Sequence, residues 1–394
     1  MPLSDEESRE IASLAAGQAG WMTDLRRRLH QVPEPAFEER RTSDLLAEVL
    51  TSLGFALRRG VGGTGIVADL ECGGGPCVAF RADMDALAVP EATGAAYSSR
   101  HEGYSHCCGH DGNMATALGA ARVVAELGDR FAGRLRLVLQ PAEEAGNGAE
   151  AMIAGGALAD PAPRAILAIH GWPMLPVGVL ACRAGVMMAS CDGLGVRIVG
   201  RGGHGARPER ANSPLPGMAR VIEALAGMNT PSRVVSLCIA RAGRVSNVIP
   251  DEAELSGTLR AVGEDVRRCS TDEVVAAVAA ACEPLGLRPQ VTWREGTPAV
   301  VIPEELYGLF RRTAGAMVGP GRVVEMTEPI MGSEDFACYL QRCPGLMFRV
   351  GVGVDRAPLH NAAFDFNDDA LAPAASVLAA MAVALAREPA GEAC

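Results

Sequence analysis

Lysine is absent from this chain of 394 residues, so all 36 of its basic residues are arginines. Without a side chain that offers a deprotonatable ammonium, the sequence excludes a pyridoxal phosphate Schiff base, a lysine aldolase and a Walker-A lysine. Positive charge is also in deficit, since the formal net charge is -11. Non-specific nucleic-acid binding needs a basic surface, so we expect no nucleic-acid partner.

Long apolar runs and a cysteine framework are lacking as well. No uninterrupted apolar run reaches the roughly 18 residues that span a bilayer, and the start, MPLSDEESRE, is acidic and has no apolar core. We therefore expect a cytoplasmic protein without a membrane partner. The 12 cysteines are scattered, which favours reduced thiols. Cys72 and Cys77 flank Gly-Gly-Gly-Pro, and we interpret this segment as a hairpin turn between two strands rather than as a metal pair.

The predicted elements change their order along the chain. Hydrophobic residues make up 48% and charged residues 21%, which is typical of globular domains. Strands and helices alternate before residue 190 and after residue 298, which favours an α/β domain with helices on both faces of a mixed sheet. In between, the order strand, helix, strand, strand, helix, strand is typical of a ferredoxin-like α+β unit. We therefore predict an α/β domain (1–189 and 299–394) with an inserted α+β domain (190–298).

Local signals place the individual elements. Ser4 and Glu7 have the spacing of a capping box and predict a long helix through about His30. A second helix is predicted from Phe37 to Leu53. Hydrophobic periodicity predicts strands over 65–71, 77–82, 135–140, 165–169 and 346–351, and helices over 111–127, 149–158, 303–317, 333–342 and 368–387.

The densest cluster of chemically active side chains is HCCGHD at 106–111, just before a predicted helix. Cys108 and His110 suit a metal ion, because Gly109 lets the backbone turn so that both side chains converge. Two other interpretations stay open. The segment is a loop that binds nothing, or Cys108 is a nucleophile whose pKa is lowered by the helix amino terminus.

Acidic and imidazole side chains follow four predicted strands. Glu143 and Glu144 come after the strand that ends at Gln140, and adjacent carboxylates diverge there, so that one could bind a metal while the other acts as a general base. The alternative is two solvated glutamates that open a helix. α/β sheets build their sites at the carboxyl ends of strands. The presence of ligand-type residues at the ends of four predicted strands therefore favours a metal site. The other residues in such positions are Asp83, Asp85, His170 and His360.

Three further features receive ordinary interpretations. The segment 60–65 matches G-x-G-x-x-G, but a dinucleotide fingerprint follows a strand and opens a helix, whereas a short strand follows here. His30 and His101 are interpreted as a helix-end residue and a surface-loop residue, since a solitary histidine is usually structural or solvated.

A series of motifs runs through nearly the whole chain: LHQVPEPAFEE, RADMDAL, HCCGHDG, QPAEEAGNGA, AIHGWP, GRGGHGARPE, NVIPDEAELSGTLR, MGSEDFA and LHNAAFDF. Their number and order resemble the dinuclear-metal amidohydrolases of the aminoacylase and carboxypeptidase family, in the branch of hippurate hydrolase and the auxin-conjugate hydrolases. The resemblance implies a metal-binding α/β domain with an inserted lid that dimerises, and hence a homodimer or dimer-based oligomer.

The same resemblance implies a set of site residues. Glu143 is the implied general base. Sister branches have a ligand histidine where this chain has Asp83, and a bridging aspartate where it has Cys108, so a branch with a bridging thiolate is indicated. Thiolate ligation admits two divalent transition-metal ions (Zn, Mn, Ni or Co) and disfavours magnesium and calcium. The implied metal ligands are Cys108, His110, Glu144, His170 and His360.

Substrate-binding residues are implied in the same way. His204, between two glycines, would donate to the substrate carbonyl oxygen and stabilise the developing oxyanion. Asn247 and Arg260 would hold the substrate carboxylate, for which a planar guanidinium fork is suited, and Gly332 would offer a backbone contact. Asn113 is a departure, because the family often has histidine there; we expect it on the helix, outside the ligand set.

The implied reaction is hydrolysis of the amide bond of small N-acyl (acetyl, benzoyl or similar) amino acids by an activated water and Glu143. A dipeptidase or desuccinylase-type exopeptidase of the same fold is one alternative. A second is a non-catalytic binding protein that keeps the fold without turnover. The Cys108 nucleophile hypothesis predicts an activity that survives chelation and is lost on thiol alkylation.

Overall fold

A computed structural model describes residues 3–387 of the chain. The chain forms two compact units. The larger contains the residues up to 185, residues 302–327 and the residues from 338 onward, and the smaller contains residues 186–301 and 328–337. That the smaller unit serves as a lid or a dimerisation domain stays a prediction.

Residues 3–387 form sixteen β-strands and ten α-helices. The strands are β1 (Ala56–Val61), β2 (Gly65–Cys72), β3 (Cys77–Asp83), β4 (Gly133–Gln140), β5 (Ala165–Trp172), β6 (Leu180–Cys182), β7 (Gly185–Met188), β8 (Ser190–Val199), β9 (Gly203–His204), β10 (Arg233–Ala242), β11 (Val248–Ile249), β12 (Glu252–Ala261), β13 (Arg288–Thr297), β14 (Val300–Ile302), β15 (Val323–Glu325) and β16 (Gly345–Gly351). The helices are α1 (Asp5–Gly17), α2 (Ala19–His30), α3 (Arg40–Ser52), α4 (His110–Leu127), α5 (Gly148–Ala154), α6 (Leu215–Ala226), α7 (Glu264–Cys282), α8 (Glu304–Val318), α9 (Phe336–Leu340) and α10 (Leu371–Arg387).

An eight-stranded mixed sheet is the centre of the larger unit, with the strand order β1-β2-β4-β3-β5-β16-β6-β15. Four neighbours in this order, β4, β3, β5 and β16, are parallel to one another. The carboxyl ends of these four strands therefore lie at one edge of the sheet. Helix α4 packs on β3, β4 and β5, and α3 packs on β1 and β2. The α/β class and the mixed sheet predicted from the sequence are confirmed.

The segment between Cys72 and Cys77 is not a hairpin turn. β2 and β3 do not pair; β4 lies between them, antiparallel to β2 and parallel to β3. The glycines let the connection pass close to the start of β4, because a Cβ on Gly75 would lie 2.2 Å from the carbonyl oxygen of Ala132. Both cysteines are free thiols, as are the other nine cysteines of the described residues.

The amino-terminal helical region confirms its predicted cap and differs in its length. The Ser4 hydroxyl accepts a hydrogen bond from the N–H of Glu7 at 3.3 Å, and the Glu7 carboxylate accepts one from the N–H of Ser4 at 2.8 Å. Caps of this kind contribute about 1 kcal/mol. The helix does not continue to His30, because α1 ends at Gly17, a weak helix former, and α2 begins after Gln18.

Two stretches near the edge of the sheet were predicted wrongly. Helix α3 begins at Arg40 instead of Phe37, since Phe37 has a φ of 63°, outside the helical region. Strand β1 was not predicted at all. It is an edge strand that pairs only with β2 among the described strands, and most of its residues are exposed, so it lacks the apolar pattern of a buried strand.

One helical stretch of the described residues, 368–387, has the length and hydropathy to cross a membrane. Its most apolar window is 78% buried inside the protein. It contains α10, which packs against α1, α4 and α8, and burial of this kind is typical of a core helix.

A four-stranded antiparallel sheet with two helices forms the smaller unit. The sheet order is β10-β12-β8-β13, and α6 and α7 pack against it. Counted along the chain, this order is 2-3-1-4, which confirms the predicted ferredoxin-like unit. Its core consists of Leu194, Val196, Ile198, Val221, Leu225, Val235, Leu255, Leu259, Val274, Val278, Cys282 and Leu287.

Candidate metal centre

The four parallel strands of the larger unit deliver the predicted side chains to one edge of the sheet. Asp83 is the last residue of β3, and Glu143 and Glu144 follow the end of β4. His360 follows β16 on a longer loop. His170 differs slightly from its prediction, because β5 continues to Trp172 and His170 lies inside the strand. Of these side chains, only that of His170 does not lie at or after the end of its strand.

Cys108 and His110 enter from the start of α4. Gly109 between them is the N-cap of α4 and has a φ of 87°, in the left-handed region. Glycine adopts this conformation without steric cost. The space is also restricted, since a Cβ at this position would lie 3.3 Å from Phe364 and from Phe366. Both observations support the role predicted for Gly109, which is to bring the two side chains together.

All five predicted ligands converge. The Sγ of Cys108 lies 3.6 Å from the Nε2 of His170, and the Nε2 of His360 lies 3.4 Å from the Oε1 of Glu144. Two groups of three that consist only of predicted ligands have all donor atoms within 4.8 Å of one another: Cys108 with His110 and His170, and Cys108 with Glu144 and His360. Cys108 belongs to both of these groups, and that it bridges two ions stays a prediction.

Hydrogen bonds on the far side of two rings orient them. The Nδ1 of His110 lies 2.8 Å from the carbonyl oxygen of Asp85, and the Nδ1 of His170 lies 2.8 Å from that of Gly171. A carbonyl only accepts, so each Nδ1 carries the proton. In the neutral form of either ring, the lone pair is then on Nε2, and the Nε2 of His170 faces the Sγ of Cys108 at 3.6 Å.

The cluster around Cys108 contains buried polar atoms that lack a hydrogen-bond partner, and such atoms indicate whether a cation would fit there. The Nε2 of His110 and the Oε1 of Glu144 are buried, and neither makes a hydrogen bond within residues 3–387. The 3.4 Å contact between Glu144 and His360 is an ion-pair distance without hydrogen-bond geometry. Buried polar atoms are normally satisfied. A donor set of one thiolate, three imidazoles and one carboxylate suits divalent transition metals, so the residues fit such ions.

The charges of the cluster depend on one another. Burial raises the pKa of the Cys108 thiol well above its ordinary value, so a thiolate here requires a nearby cation. Burial would lower the pKa of His110, but the charges of Asp83 and of a Cys108 thiolate outweigh it and raise that pKa. The predicted lowering of the Cys108 pKa by the start of α4 is therefore wrong, because desolvation is the larger effect.

Asp85 organises the site, a role that the sequence did not reveal. Its Oδ1 accepts from the N–H of Glu143 and its Oδ2 from the N–H of Glu144, both at 3.0 Å. Its carbonyl oxygen accepts from His110. One residue thus holds the backbone of the acidic pair and the ring of one imidazole. The strand-end position of Asp85 was visible in the sequence, but its partners were not.

Asn113 lies on α4 and links two strands. Its Nδ2 donates to the Oδ1 of Asp83 at 2.9 Å, and its Oδ1 accepts from the N–H of Gly171 at 3.1 Å. The Oδ2 of Asp83 lies 2.8 Å from the Nη1 of Arg81. Burial would raise the pKa of Asp83, but His110 and Arg81 outweigh it and lower the pKa. Asn113 is therefore on the helix, as expected, and positions Asp83.

His204 and Asn247 meet in the smaller unit. Strands β9 and β11 pair there, and the carbonyl oxygen of Asn247 accepts from the N–H of Gly205 at 2.8 Å. The Nδ1 of His204 accepts from the N–H of Ala206 at 3.0 Å. A neutral His204 therefore carries its proton on Nε2. That tautomer offers a hydrogen-bond donor from an exposed side chain, as an oxyanion contact needs.

Arg260 and Gly332 form a second pair in the same unit. The Nη1 of Arg260 donates to the carbonyl oxygen of Met331 at 2.9 Å, which is next to Gly332 in the chain. One arm of the guanidinium is therefore engaged with the segment 328–337. The roles of these residues in substrate binding stay a prediction.

A sequence profile described as Peptidase family M20/M25/M40 matches residues 79–384. The chain belongs to this family. It is 34% identical to IAA-amino acid hydrolase ILR1-like 2 of Arabidopsis thaliana, over 94% of this chain and 87% of the relative. It is also 34% identical to N-acetyl-L-cysteine deacetylase of Bacillus subtilis, over 90% of this chain and 85% of the relative.

A solved structure agrees with this assignment. The YXEP protein of Bacillus subtilis, described as a dinuclear metal binding peptidase from the M20 family, superposes with a TM-score of 0.85. The two chains are 28% identical, and the match covers 94% of this chain and 99% of the other. This chain is therefore a hydrolase of the metal-dependent amidohydrolase and peptidase type. The resemblance stated from the sequence is confirmed.

Proposed function

We propose that this M20 hydrolase cleaves the amide bond of small N-acyl amino acids, with Glu143 as the general base. The observation that carries the proposal is the convergence of four donor groups around Cys108, with the Oε2 of Glu143 3.9 Å from the Nε2 of His110. The names of the two relatives, an IAA-amino acid hydrolase and an N-acetyl-L-cysteine deacetylase, support an acylated amino acid as the substrate.

The proposed cofactors are two divalent transition-metal ions, Zn, Mn, Ni or Co. When bound, such ions supply Lewis acidity toward the amide carbonyl and lower the pKa of the attacking water. A buried thiol and three imidazoles favour these metals over magnesium and calcium, which prefer oxygen ligands. The residues that would hold them are Cys108, His110, Glu144, His170 and His360.

The protein moves one proton and stabilises one developing charge in this reaction. Glu143 takes the proton of the water on its carboxylate and passes it to the leaving nitrogen, a role that contributes roughly 10²- to 10⁴-fold. Asp85 supports it by holding the backbone N–H of Glu143. His204 donates from Nε2 to the carbonyl oxygen as negative charge develops there. Asn247 and Arg260 hold the substrate carboxylate, and the backbone of Gly332 makes a further contact with the substrate.

A substrate panel tests the proposal. Protein loaded with Zn²⁺, Mn²⁺, Ni²⁺ or Co²⁺ is assayed with N-acetyl, N-benzoyl and N-succinyl amino acids and with dipeptides, and release of the free amino acid is measured. We expect the highest kcat/KM on an N-acetyl or N-benzoyl amino acid. Preference for dipeptides or N-succinyl substrates would instead favour the exopeptidase alternative, to which the family's peptidase members lend support. A metal-loaded protein inert on the whole panel would favour a binding protein.

Replacing Arg260 by glutamine is expected to raise KM more than it lowers kcat. Losing one partner of a charge-assisted pair costs about 2 kcal/mol or more, so kcat/KM should fall at least about 30-fold. The measurement compares kcat/KM on an N-acyl amino acid with kcat/KM on its carboxamide analogue, which lacks the carboxylate. On the carboxamide, the variant and the wild-type protein should have the same kcat/KM. Arg288→Gln, at an exposed arginine of β13, is the control. An equal loss on both analogues would contradict the carboxylate contact.

Assembly and location remain predictions of the sequence. The resemblance implies a homodimer or dimer-based oligomer in the cytoplasm. Light scattering coupled to size-exclusion chromatography would measure the mass in solution, and a monomer at assay concentration would contradict the first part.

A further inference from the structure

A second cluster of buried charged side chains lies in the larger unit and has no part in the proposed reaction. Arg26 and His30 are one turn apart on α2, and only 0% and 1% of their surfaces are exposed. His30 ends the helix, as predicted, but it is not an ordinary helix-end residue. Burying a charge costs several kcal/mol unless it is paired, so the partners of these two residues indicate what the pair does.

The first partner is Asp111, which directly follows His110 in the first turn of α4. The Nε of Arg26 and the Nδ1 of His30 each lie 2.8 Å from the same Oδ2 of Asp111. Burial would lower the pKa of His30, but the charge of Asp111 outweighs it and raises the pKa to about 9. Two cationic side chains of α2 therefore hold the turn that carries Cys108 and His110.

The other partners of Arg26 are Asp365, on the loop that carries His360, and Asp368, in the short 3-10 helix that follows this loop. Arg26 forms an ion pair with Asp365 through Nη2, and its Nη1 lies 3.4 Å from the Oδ1 of Asp368. The hydroxyl of Tyr97 donates to the second oxygen of Asp365 at 2.8 Å. One guanidinium thus binds carboxylates from two segments that each contain proposed metal ligands.

The second nitrogen of His30 is linked to the same loop indirectly, through the segment that contains Glu91. The Nε2 of His30 lies 3.3 Å from the Oε1 of Glu91. The next residue, Ala92, donates its N–H to the carbonyl oxygen of Ala362 at 2.7 Å. The two ring nitrogens therefore connect α4 with the neighbourhood of residue 362, two positions after His360.

The two ligand-bearing segments also touch each other directly. The N–H of His360 donates to the carbonyl oxygen of Cys107 at 2.8 Å. Phe366 packs so closely on α4 that a Cβ at Gly112 would lie 2.2 Å from its ring. His360 itself has a φ of 65°, which costs energy for a residue other than glycine and persists only where the surroundings hold it.

We propose that Arg26 and His30 are positioning residues that set the separation of Cys108 and His360 by joining Asp111 to the loop after His360. The inference rests on the proposed metal-dependent function and concerns the site formed by Cys108, Glu144 and His360. Contacts outside the ligand set typically change metal affinity 10- to 100-fold. Loss of this network should therefore weaken one of the two metal sites more than the other.

Three substitutions test the geometry apart from the charge. Arg26→Lys keeps the charge but cannot bridge three carboxylates, since an ammonium lacks the planar fork. His30→Asn places an amide N–H near the position of Nδ1 and keeps the bond to Asp111. His30→Gln places it near Nε2 and keeps only the contact to Glu91. Arg28→Lys, at an exposed residue of the same helix, is the matched control.

The probe is Co²⁺, which is added to metal-free full-length protein. Elemental analysis gives the number of ions bound per chain, and the thiolate-to-cobalt absorption band shows whether Cys108 is a ligand. We expect two ions per chain, bound with wild-type affinity, in the wild-type protein and in Arg28→Lys. In Arg26→Lys, His30→Asn and His30→Gln, the affinity for one ion should fall 10- to 100-fold and the thiolate band should change, because each of these variants breaks the connection between Asp111 and the loop after His360. The thermal midpoint of each metal-free variant, followed by circular dichroism, separates positioning from loss of folding.

Three results would overturn the inference, and a fourth would overturn its basis. Unchanged affinity and spectra in Arg26→Lys, His30→Asn and His30→Gln would exclude positioning. A lowered thermal midpoint with unchanged affinity would mean a purely structural role. A loss of affinity in Arg26→Lys with wild-type affinity in both His30 variants would remove His30 from the positioning role. A wild-type protein that binds no Co²⁺ would overturn the proposed function itself, and the positioning role with it.

Discussion

Replacing Glu143 by glutamine is expected to lower kcat by about 10²- to 10⁴-fold without loss of either metal ion. Glutamine has the size of glutamate and keeps one carbonyl oxygen, but it cannot take a proton at neutral pH. The backbone N–H of Glu143 is held by Asp85 at 3.0 Å, and this contact does not involve the altered atoms. The side chain should therefore stay in place while the proton transfer is lost.

The measurement is kcat on the best substrate of the panel, together with metal content by elemental analysis. Glu150→Gln, at an exposed glutamate of the neighbouring helix α5, makes the same chemical change outside the cluster and should leave both values unchanged. Full activity of Glu143→Gln would refute its assignment as the base. Loss of a metal ion would instead make Glu143 a ligand, which its 3.9 Å distance from His110 allows.

Removal of the metal ions is expected to reduce the activity at least about 10³-fold, because Lewis-acid assistance of this kind contributes several kcal/mol. Dialysis against a chelator should produce the inactive protein. Added Zn²⁺, Mn²⁺, Co²⁺ or Ni²⁺ should restore activity, and Mg²⁺ or Ca²⁺ should not, because a buried thiolate and imidazoles are poor ligands for hard cations.

The same experiment also tests the hypothesis that Cys108 is the catalytic nucleophile. That hypothesis predicts activity after chelation and its loss on alkylation of the thiol. Cys108 is buried with a raised pKa, so we expect slow alkylation of the metal-loaded protein at neutral pH. The exposed thiols Cys238 and Cys269 should react first, and a Cys238→Ser, Cys269→Ser double variant shows whether their modification affects the rate. Activity that persists in the metal-free protein would sink the metal-dependent mechanism.

Several elements of the fold were readable in the sequence because their causes are local. The Ser4 capping box, the strands β3, β4 and β16, and the ferredoxin-like order of the smaller unit all follow from spacing and hydrophobic periodicity. Predictions failed where a distant element decided the outcome. The turn at 73–76 resembles a hairpin connection, yet β4, some sixty residues away in the chain, lies between the two strands.

By itself the sequence determined the donor types and their arrival at one edge of the sheet, because residues after neighbouring parallel strands such as Glu144 must meet there. Only the tertiary structure decided which atoms face one another. It placed Cys108 in two groups of donors, fixed the tautomer of His110 through a carbonyl, and buried Arg26 between carboxylates more than 250 positions apart. Periodicity encodes where an element lies, but hydrogen-bond and ion-pair partners depend on packing between elements, which no short stretch of sequence contains.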